Sequence, residues 1–156
     1  MYYDSFDSPL GKIHMLADES GLRQLSLCLH HPFEPSLEWK HSKSKISAYR
    51  NQLLEFLTGD RTQFDVTLAP HGTEFQHQVW QAIRDIPYGE TRTYSQIAEA
   101  IGNPLACRAV GMASNVNPIP FIVPCHRVIG SNGKLTGYRY GVEIKQKLLQ
   151  LEEAAT

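Results

Sequence analysis

Residues 93–115, TYSQIAEAIGNPLACRAVGMASN, decide how the second half of the chain is read. Thr93 suits a helix N-cap, and Ile97, Ala98 and Ile101 then recur on one face, which predicts a short helix. Gly102-Asn103-Pro104 supplies a tight turn, and Leu105 to about Ser114 predicts the next helix. Two short helices about a glycine-containing turn make a helix-turn-helix over 93–115, a pattern that plain αα-hairpins share. The second helix is nearly bare, since Ala106, Ala109, Gly111 and Ala113 leave only Arg108 and Met112 with long side chains. It can pack tightly on a neighbour or approach an outside surface closely. Arg108, a long cation on a smooth helix, suits either a solvated face or insertion into a nucleic-acid groove.

Beyond this motif, Asn117-Pro118-Ile119-Pro120 cannot be helical, and Phe121-Ile122-Val123-Pro124 reads as extended and buried. Gly130 to Gly133 is a turn, and Gly137 and Gly141 bracket Tyr138 and Tyr140. Glu143 to Glu153 predicts a closing helix carrying Ile144, Leu148, Leu149 and Leu151. On the N-terminal side, Thr73 can cap a helix with Phe75, Val79, Trp80 and Ile83 on one face, ended by Pro87-Tyr88-Gly89. Ala69-Pro70-His71-Gly72 is the candidate linker. Before it, Ile13, Met15 and Ala17, then Leu25, Leu27 and Leu29, alternate as two or three antiparallel strands do. Ile46, Tyr49, Leu53, Leu54 and Leu57 follow at helical spacing up to Thr58-Gly59-Asp60, and a short strand is expected at Phe64 to Leu68. The expected fold class is α+β: an N-terminal domain (1–69) of mixed α/β structure with an antiparallel sheet, then a mostly helical domain (70–156). The second domain holds the helix-turn-helix and a loop at 117–129.

A chain of 156 residues with 42% hydrophobic and 20% charged residues can build a core and excludes disordered, collagenous and multi-module classes. Its longest apolar stretch, Ile119 to Cys125, holds two prolines and falls far short of the roughly 20 residues that span a bilayer. No basic patch followed by an apolar run opens the chain, so a soluble, cytoplasmic protein without membrane partners is expected. Three cysteines (Cys28, Cys107, Cys125) without a C-x-x-C pair argue for reduced thiols. The net charge of −1 gives no global attraction to nucleic acid. Between Thr91 and Tyr140, however, Arg92, Arg108, Arg127, Lys134 and Arg139 face only Glu99, a local balance of +4.

Chemistry concentrates at Cys125-His126. A thiol attacks as its thiolate, and an unperturbed cysteine near pKa ~8.5 is only slightly ionised at pH 7, so a nucleophile needs a base or cation close by. In an extended segment adjacent side chains point to opposite faces, and a bridging water or a bend, which Pro124 could supply, would be required. A buried structural cysteine beside a surface histidine has the same spelling.

Ile122-Val123-Pro124-Cys125-His126-Arg127-Val128-Ile129 resembles the active-site signature of the O6-alkylguanine-DNA alkyltransferases, the methylated-DNA–protein-cysteine methyltransferases. Phe75-Gln76-x-x-Val79-Trp80, Ile86-Pro87-x-Gly89-x-Thr91-x-Thr93-Tyr94, Ile97-Ala98, Gly102-x-Pro104 and Arg108-Ala109-Val110-Gly111 match the family in order and spacing. Asn117-Pro118, Gly137-Tyr138 and Lys145-x-x-Leu148-Leu149-x-x-Glu152 continue the match, which covers about 72–153. Ser8 to Lys12 resembles the opening of the family's less constrained N-terminal domain.

The resemblance implies direct reversal repair. Cys125 would take the alkyl group from O6-alkylguanine, or O4-alkylthymine, once and irreversibly. His126 would act as general base through water, with Glu152 orienting it and Glu153 as the competing candidate. Asn117 would hold the Cys125 loop, and Tyr94 would crowd the phosphate and donate a proton as guanine leaves. Arg108 would replace the flipped base in the stack, while Gln76, Ser95, Asn103 and Ser131 occupy positions that contact DNA in relatives. Pro120, Val128, Tyr138 and Arg139 would form the substrate pocket. The implied partner is double-stranded DNA approached from the minor groove by a monomer, with no cofactor.

Some positions depart from the family. Its mammalian members carry a structural zinc whose ligand positions here are not Cys or His, and Cys28, His30 and His31 lack a clear fourth ligand, so no metal is expected. Cys107 stands where relatives usually have alanine, and Arg139 replaces a small residue, which bears on acceptance of bulky groups. Two other readings stay open: a non-repairing sensor of alkylated bases, a class that lacks the acceptor cysteine, and a helix-turn-helix DNA-binding regulator. A cysteine hydrolase is a weaker fourth reading.

Overall fold

The computed structural model describes residues 1–29, 33–135 and 137–154, with the side chain of residue 154 excepted. The chain divides into two compact units, Met1–His71 and Gly72–Thr156.

In the first unit, strands β1 (Tyr2–Ser8), β2 (Gly11–Asp18), β3 (Gly21–Cys28) and β4 (Lys40–His41) form one sheet in the order β3-β2-β1-β4. β1, β2 and β3 are antiparallel neighbours, and β4 adds parallel to β1. Register places Ile13 opposite Leu27 and Met15 opposite Leu25, so the alternating residues share one buried face. Helix α1 (Lys43–Leu57) lies against β1 and β2 and buries Ile46, Leu53 and Phe56. Ser42 caps its start by accepting the Lys45 N–H. β2 is also buried on its other face, where the His14 ring stacks on Phe33 at 4.1 Å. His30 and His31 lie outside the described residues.

Phe64 to Leu68 is not a strand. Only one bridge forms, Leu22 to Leu68, with Leu22 N–H donating to Thr67 O (2.9 Å) and Ala69 N–H to Leu22 O (2.8 Å). The Gln52 side chain takes both backbone groups of Asp65, accepting its N–H at 2.8 Å and donating to its carbonyl at 3.2 Å, so no ladder continues there. Gly21 makes the crossing possible, because a Cβ there would lie 2.6 Å from Thr67 O and its φ is +140°. Leu29 falls beyond β3 and is exposed.

The second unit is mostly helical. Helix α2 (Glu74–Arg84) begins in a capping box, with Thr73 accepting from Gln76 N–H while the Gln76 side chain accepts from Thr73 N–H. It buries Val79, Trp80 and Ile83. Helix α3 (Tyr94–Ala100) repeats the device with Thr93 and Gln96 and stops before Gly102, whose φ is +78°. Helix α4 (Cys107–Asn115) begins two residues later than its sequence suggests, because Ala106 N–H closes a turn onto Asn103 O. Trp80 Nε1 donates to Ala113 O at 2.9 Å, fastening α2 to α4 in the interior. Strands β5 (Arg92–Thr93) and β6 (Val128–Ile129) pair in parallel, and helix α5 (Val142–Ala154) closes the unit. The architecture is α+β, with the helix-turn-helix formed by α3 and α4. Among the described residues no helix is long and apolar enough to cross a membrane.

Residues 121–124 are buried but not extended. Ile122 N–H donates to Pro120 O (2.9 Å) and Val123 N–H to Ile119 O (3.0 Å), while Phe121 takes φ +72°. Two prolines and a left-handed Phe121 fold this stretch into a tight turn, and it runs straight into a 3-10 turn at Cys125–Arg127.

Candidate active site

Asn117, 2% exposed, spans the turn that carries Cys125. Its Nδ2 donates to Val123 O (2.9 Å), and its Oδ1 accepts from Ile119 N–H (3.0 Å). One side chain thus satisfies a buried donor and a buried acceptor at opposite ends of the turn. Cys125, His126 and Arg127 occupy a 3-10 turn, and all three are buried, 7%, 0% and 6% exposed.

A cation and a carboxylate enter from α5. Lys145 and Glu152 stand seven residues apart on α5, two helical turns on one face, and each is 1% exposed. Glu152 Oε2 accepts from His126 Nε2 (2.5 Å), and its Oε1 accepts from Arg127 Nε (2.8 Å) and Gly89 N–H (3.1 Å). Arg127 also donates to Ile86 O (2.8 Å) and stands 5.5 Å over the Tyr88 ring. Lys145 Nζ donates to Val128 O (2.5 Å) and lies 6.0 Å from the centre of the Tyr138 ring. Glu153, by contrast, is exposed.

These contacts fix the protonation states. Burial acts against the Glu152 carboxylate, but the hydrogen bonds and charges of His126 and Arg127 outweigh it and hold the pKa down to about 2. Burial lowers the His126 pKa and Glu152 only partly restores it, so the imidazole is neutral at pH 7. An ionised Glu152 can only accept; the proton therefore sits on Nε2, and Nδ1 carries the lone pair. Burial pushes the Cys125 thiol up, offset in part by the Asn117 hydrogen bond and by the charges of Lys145 and Arg139. The resting sulfur is protonated and needs a base to ionise it.

A narrow cleft opens on Cys125, lined by Tyr94, Ser114, Asn117, Pro120, Tyr138 and Arg139, among others. Tyr94, first residue of α3, lays its ring beside Gly111 of α4, and its hydroxyl is near Gly137. Burial, then the neighbouring Cys125 and Cys107, raise the Tyr94 pKa, so it keeps its proton at neutral pH. Val128 is not among the residues lining the cleft; its side chain is fully buried and its carbonyl holds Lys145. On the outer surface Arg108, Asn103 and Ser131 are exposed, and Ser95 Oγ lies 3.8 Å from Cys107 Sγ. The Gln76 side-chain carbonyl is engaged in capping α2. In the sequence Arg127 and Lys145 stand out only as charges and motif letters, yet both are buried at the site. The seven-residue spacing of Lys145 and Glu152 was the available signal.

Comparison with known proteins agrees over both units. Residues 74–154 match the family model "6-O-methylguanine DNA methyltransferase, DNA binding domain", and residues 1–70 match that enzyme's "ribonuclease-like domain". The methylated-DNA–protein-cysteine methyltransferase of Methanosarcina acetivorans is 52% identical over 153 residues, covering 97% of this chain and 98% of that protein. That of Mycobacterium bovis is 46% identical over 155 residues, covering 99% of this chain and 93% of its own. The crystal structure of Mycobacterium tuberculosis OGT in complex with DNA superposes with a TM-score of 0.92 at 44% identity, covering 100% of this chain and 95% of that one. With a buried Cys-His-Glu array on a helix-turn-helix scaffold, and with both family models and near full-length relatives in agreement, the chain belongs to the 6-O-methylguanine DNA methyltransferase family.

Proposed function

We propose that the protein repairs DNA by direct reversal, moving the alkyl group of O6-alkylguanine, and of O4-alkylthymine, onto Cys125 as a cytoplasmic monomer. The observation that carries this reading is the buried Cys125 in one turn with a neutral His126 whose Nε2 is held by an ionised Glu152. It is the nucleophile, base and orienting group that covalent catalysis requires.

The thiol proton passes through a bridging water to His126 Nδ1. The thiolate then forms a bond to the alkyl carbon as the carbon–O6 bond breaks, and the electron pair stays on guanine. Tyr94 gives the leaving base a proton and is reprotonated from the imidazolium side, so the thiol proton ends on guanine. The thioether is a poor leaving group, and each molecule reacts once.

A base stacked in a duplex cannot bring O6 to a sulfur this deeply buried, so the lesion must be everted, at a cost of a few kcal/mol. The exposed Arg108 on the small-residue face of α4 is suited to fill the gap from the minor groove. Readout there carries little sequence information, as repair anywhere in a genome requires. Asn103, Ser95, Ser131 and Gln76 would contribute contacts to the backbone. Incubation with duplex DNA containing one O6-methylguanine tests the reading: one methyl per protein, located at Cys125, is expected. A regulator would instead prefer one DNA sequence and ignore Cys125→Ser, and a sensor would bind the lesion and leave it methylated.

A further inference from the structure

We infer that Arg127 is a positioning residue of the transfer reaction: it supplies the cation that Glu152 requires and so leaves His126 uncharged, free to take the thiol proton. The inference rests on the alkyl-transfer reading and names the residue that decides whether the site holds a base at all.

A carboxylate in the interior has to be matched by positive charge. His126 donates to Oε2 of Glu152 and Arg127 to its Oε1, and either could provide that charge. An imidazole serving as the match would be an imidazolium, with protons on both ring nitrogens and nothing left on Nδ1 to accept a third. A guanidinium stays charged at every working pH and relieves the imidazole of that duty. The loop that follows α2 fixes it in place. Arg127 Nη1 donates to Ile86 O at 2.8 Å, the guanidinium stands 5.5 Å over the Tyr88 ring, and Gly89 N–H gives the same Oε1 a second donor at 3.1 Å. Residues 86–89 thus hold both the cation and the carboxylate oxygen it serves, while Oε2 orients His126.

The charged and titratable groups around the imidazole are Glu152 and Lys145 from α5, and Cys125 and Arg127 from its own turn. Tyr88, from the loop after α2, faces Arg127 and Glu152, and Tyr138 faces Lys145 and Cys125. Among the charges, Glu152 favours the imidazolium, whereas Arg127 and Lys145 oppose it, as burial does. Arg127 opposes it twice, by its own charge and by sharing the carboxylate.

The test is nitrogen NMR of the full chain, with the His126 ring signals assigned by their loss in His126→Gln and read beside the pH profile of single-turnover methyl transfer. In wild type His126 should be neutral at pH 7 and take up its proton only below the usual value of 6.5. Arg127→Met should leave an imidazolium at pH 7, with the midpoint raised by about one unit or more, tenfold in the protonation equilibrium. The acid limb of the transfer rate should move with it, and activity should recover as the pH is raised. Arg127→Lys, which keeps the charge without the fork, should hold His126 neutral at pH 7. An imidazolium at pH 7 in wild type or in Arg127→Lys overturns the inference. So does an Arg127→Met protein that is slower at every pH with an unmoved midpoint, the mark of a structural role alone. Should Arg127→Met not fold, the wild-type and lysine titrations still decide. A wild type that holds His126 neutral yet takes no methyl group from damaged duplex would instead overturn the alkyl-transfer reading.

Discussion

Glu152→Gln keeps the shape of the side chain at the centre of the buried network and removes only its charge. Glu152 accepts from His126 at 2.5 Å, Arg127 at 2.8 Å and Gly89 at 3.1 Å, and the His126 and Arg127 side chains are almost wholly buried. The variant leaves the Arg127 guanidinium facing a neutral amide in the interior, a change that costs about 3–5 kcal/mol where one member of a buried pair is lost. The carboxyl's displacement from 4.5 to about 2 gives a consistent figure, about 3 kcal/mol at ~1.4 kcal/mol per unit. For a chain of this length that lowers the midpoint of thermal unfolding by about 6–12 °C. Between these two pKa values the unfolded chain holds the proton and the folded chain does not. The stabilisation from Glu152 is therefore complete above about 4.5 and lost as the pH falls toward 2. Urea unfolding of both proteins across that range measures the gap directly. The expected gap is largest near neutrality and shrinks in acid. A variant within about 1 kcal/mol of wild type at pH 7, or a gap that does not change with pH, would refute the assignment of Glu152 as the ionised partner. Alkyl transfer at 25 °C, where the variant stays folded, should slow by about 10²-fold, because the amide no longer fixes the imidazole tautomer.

Other variants probe separate parts of the site. Arg108→Ala should weaken repair of a damaged duplex at least tenfold more than reaction with free O6-methylguanine, and equal losses on both substrates would remove Arg108 from the flipping step. Asn117→Ala strands Ile119 N–H and Val123 O in the interior, so stability should fall by about 2 kcal/mol in denaturant unfolding and Cys125 alkylation should slow. The rate of methyl transfer should fall as the pH drops below the usual histidine value of 6.5, following the depressed His126 pKa, and should rise on the alkaline side as the raised thiol ionises. A rate that does not fall in acid would contradict the His126 assignment, and an alkaline rise complete below the ordinary thiol value of 9.0 would contradict the Cys125 assignment.

Local signals carried most of the architecture. The apolar spacing of Ile46, Leu53 and Leu57 marked α1, and the threonines at 73 and 93 marked two helix starts that the structure completes as capping boxes. Periodicity failed where side chains replaced backbone as hydrogen-bond partners. Gln52 occupies the backbone of Asp65, so the apolar run at 64–68 does not become a strand. Asn117 and the left-handed Phe121 fold an apolar stretch that reads as extended. The site was legible as letters around Cys125 more than as geometry. Residue type alone assigns Arg127 and Lys145 to the surface, and only the convergence of α5 on the Cys125–Arg127 turn shows that the first neutralises Glu152 and the second faces Tyr138.

In the proposed reaction the sulfur of Cys125 is the terminal acceptor of the lesion's carbon. Intact and peptide mass spectrometry after exposure to an excess of duplex bearing O6-methylguanine tests it most directly. A plateau at one added methyl per chain, carried by Cys125, is expected, with an equal amount of guanine restored in the DNA. Unmodified protein beside a persistent lesion, a methyl on Cys28 or Cys107, or restoration of more lesions than protein molecules would contradict it.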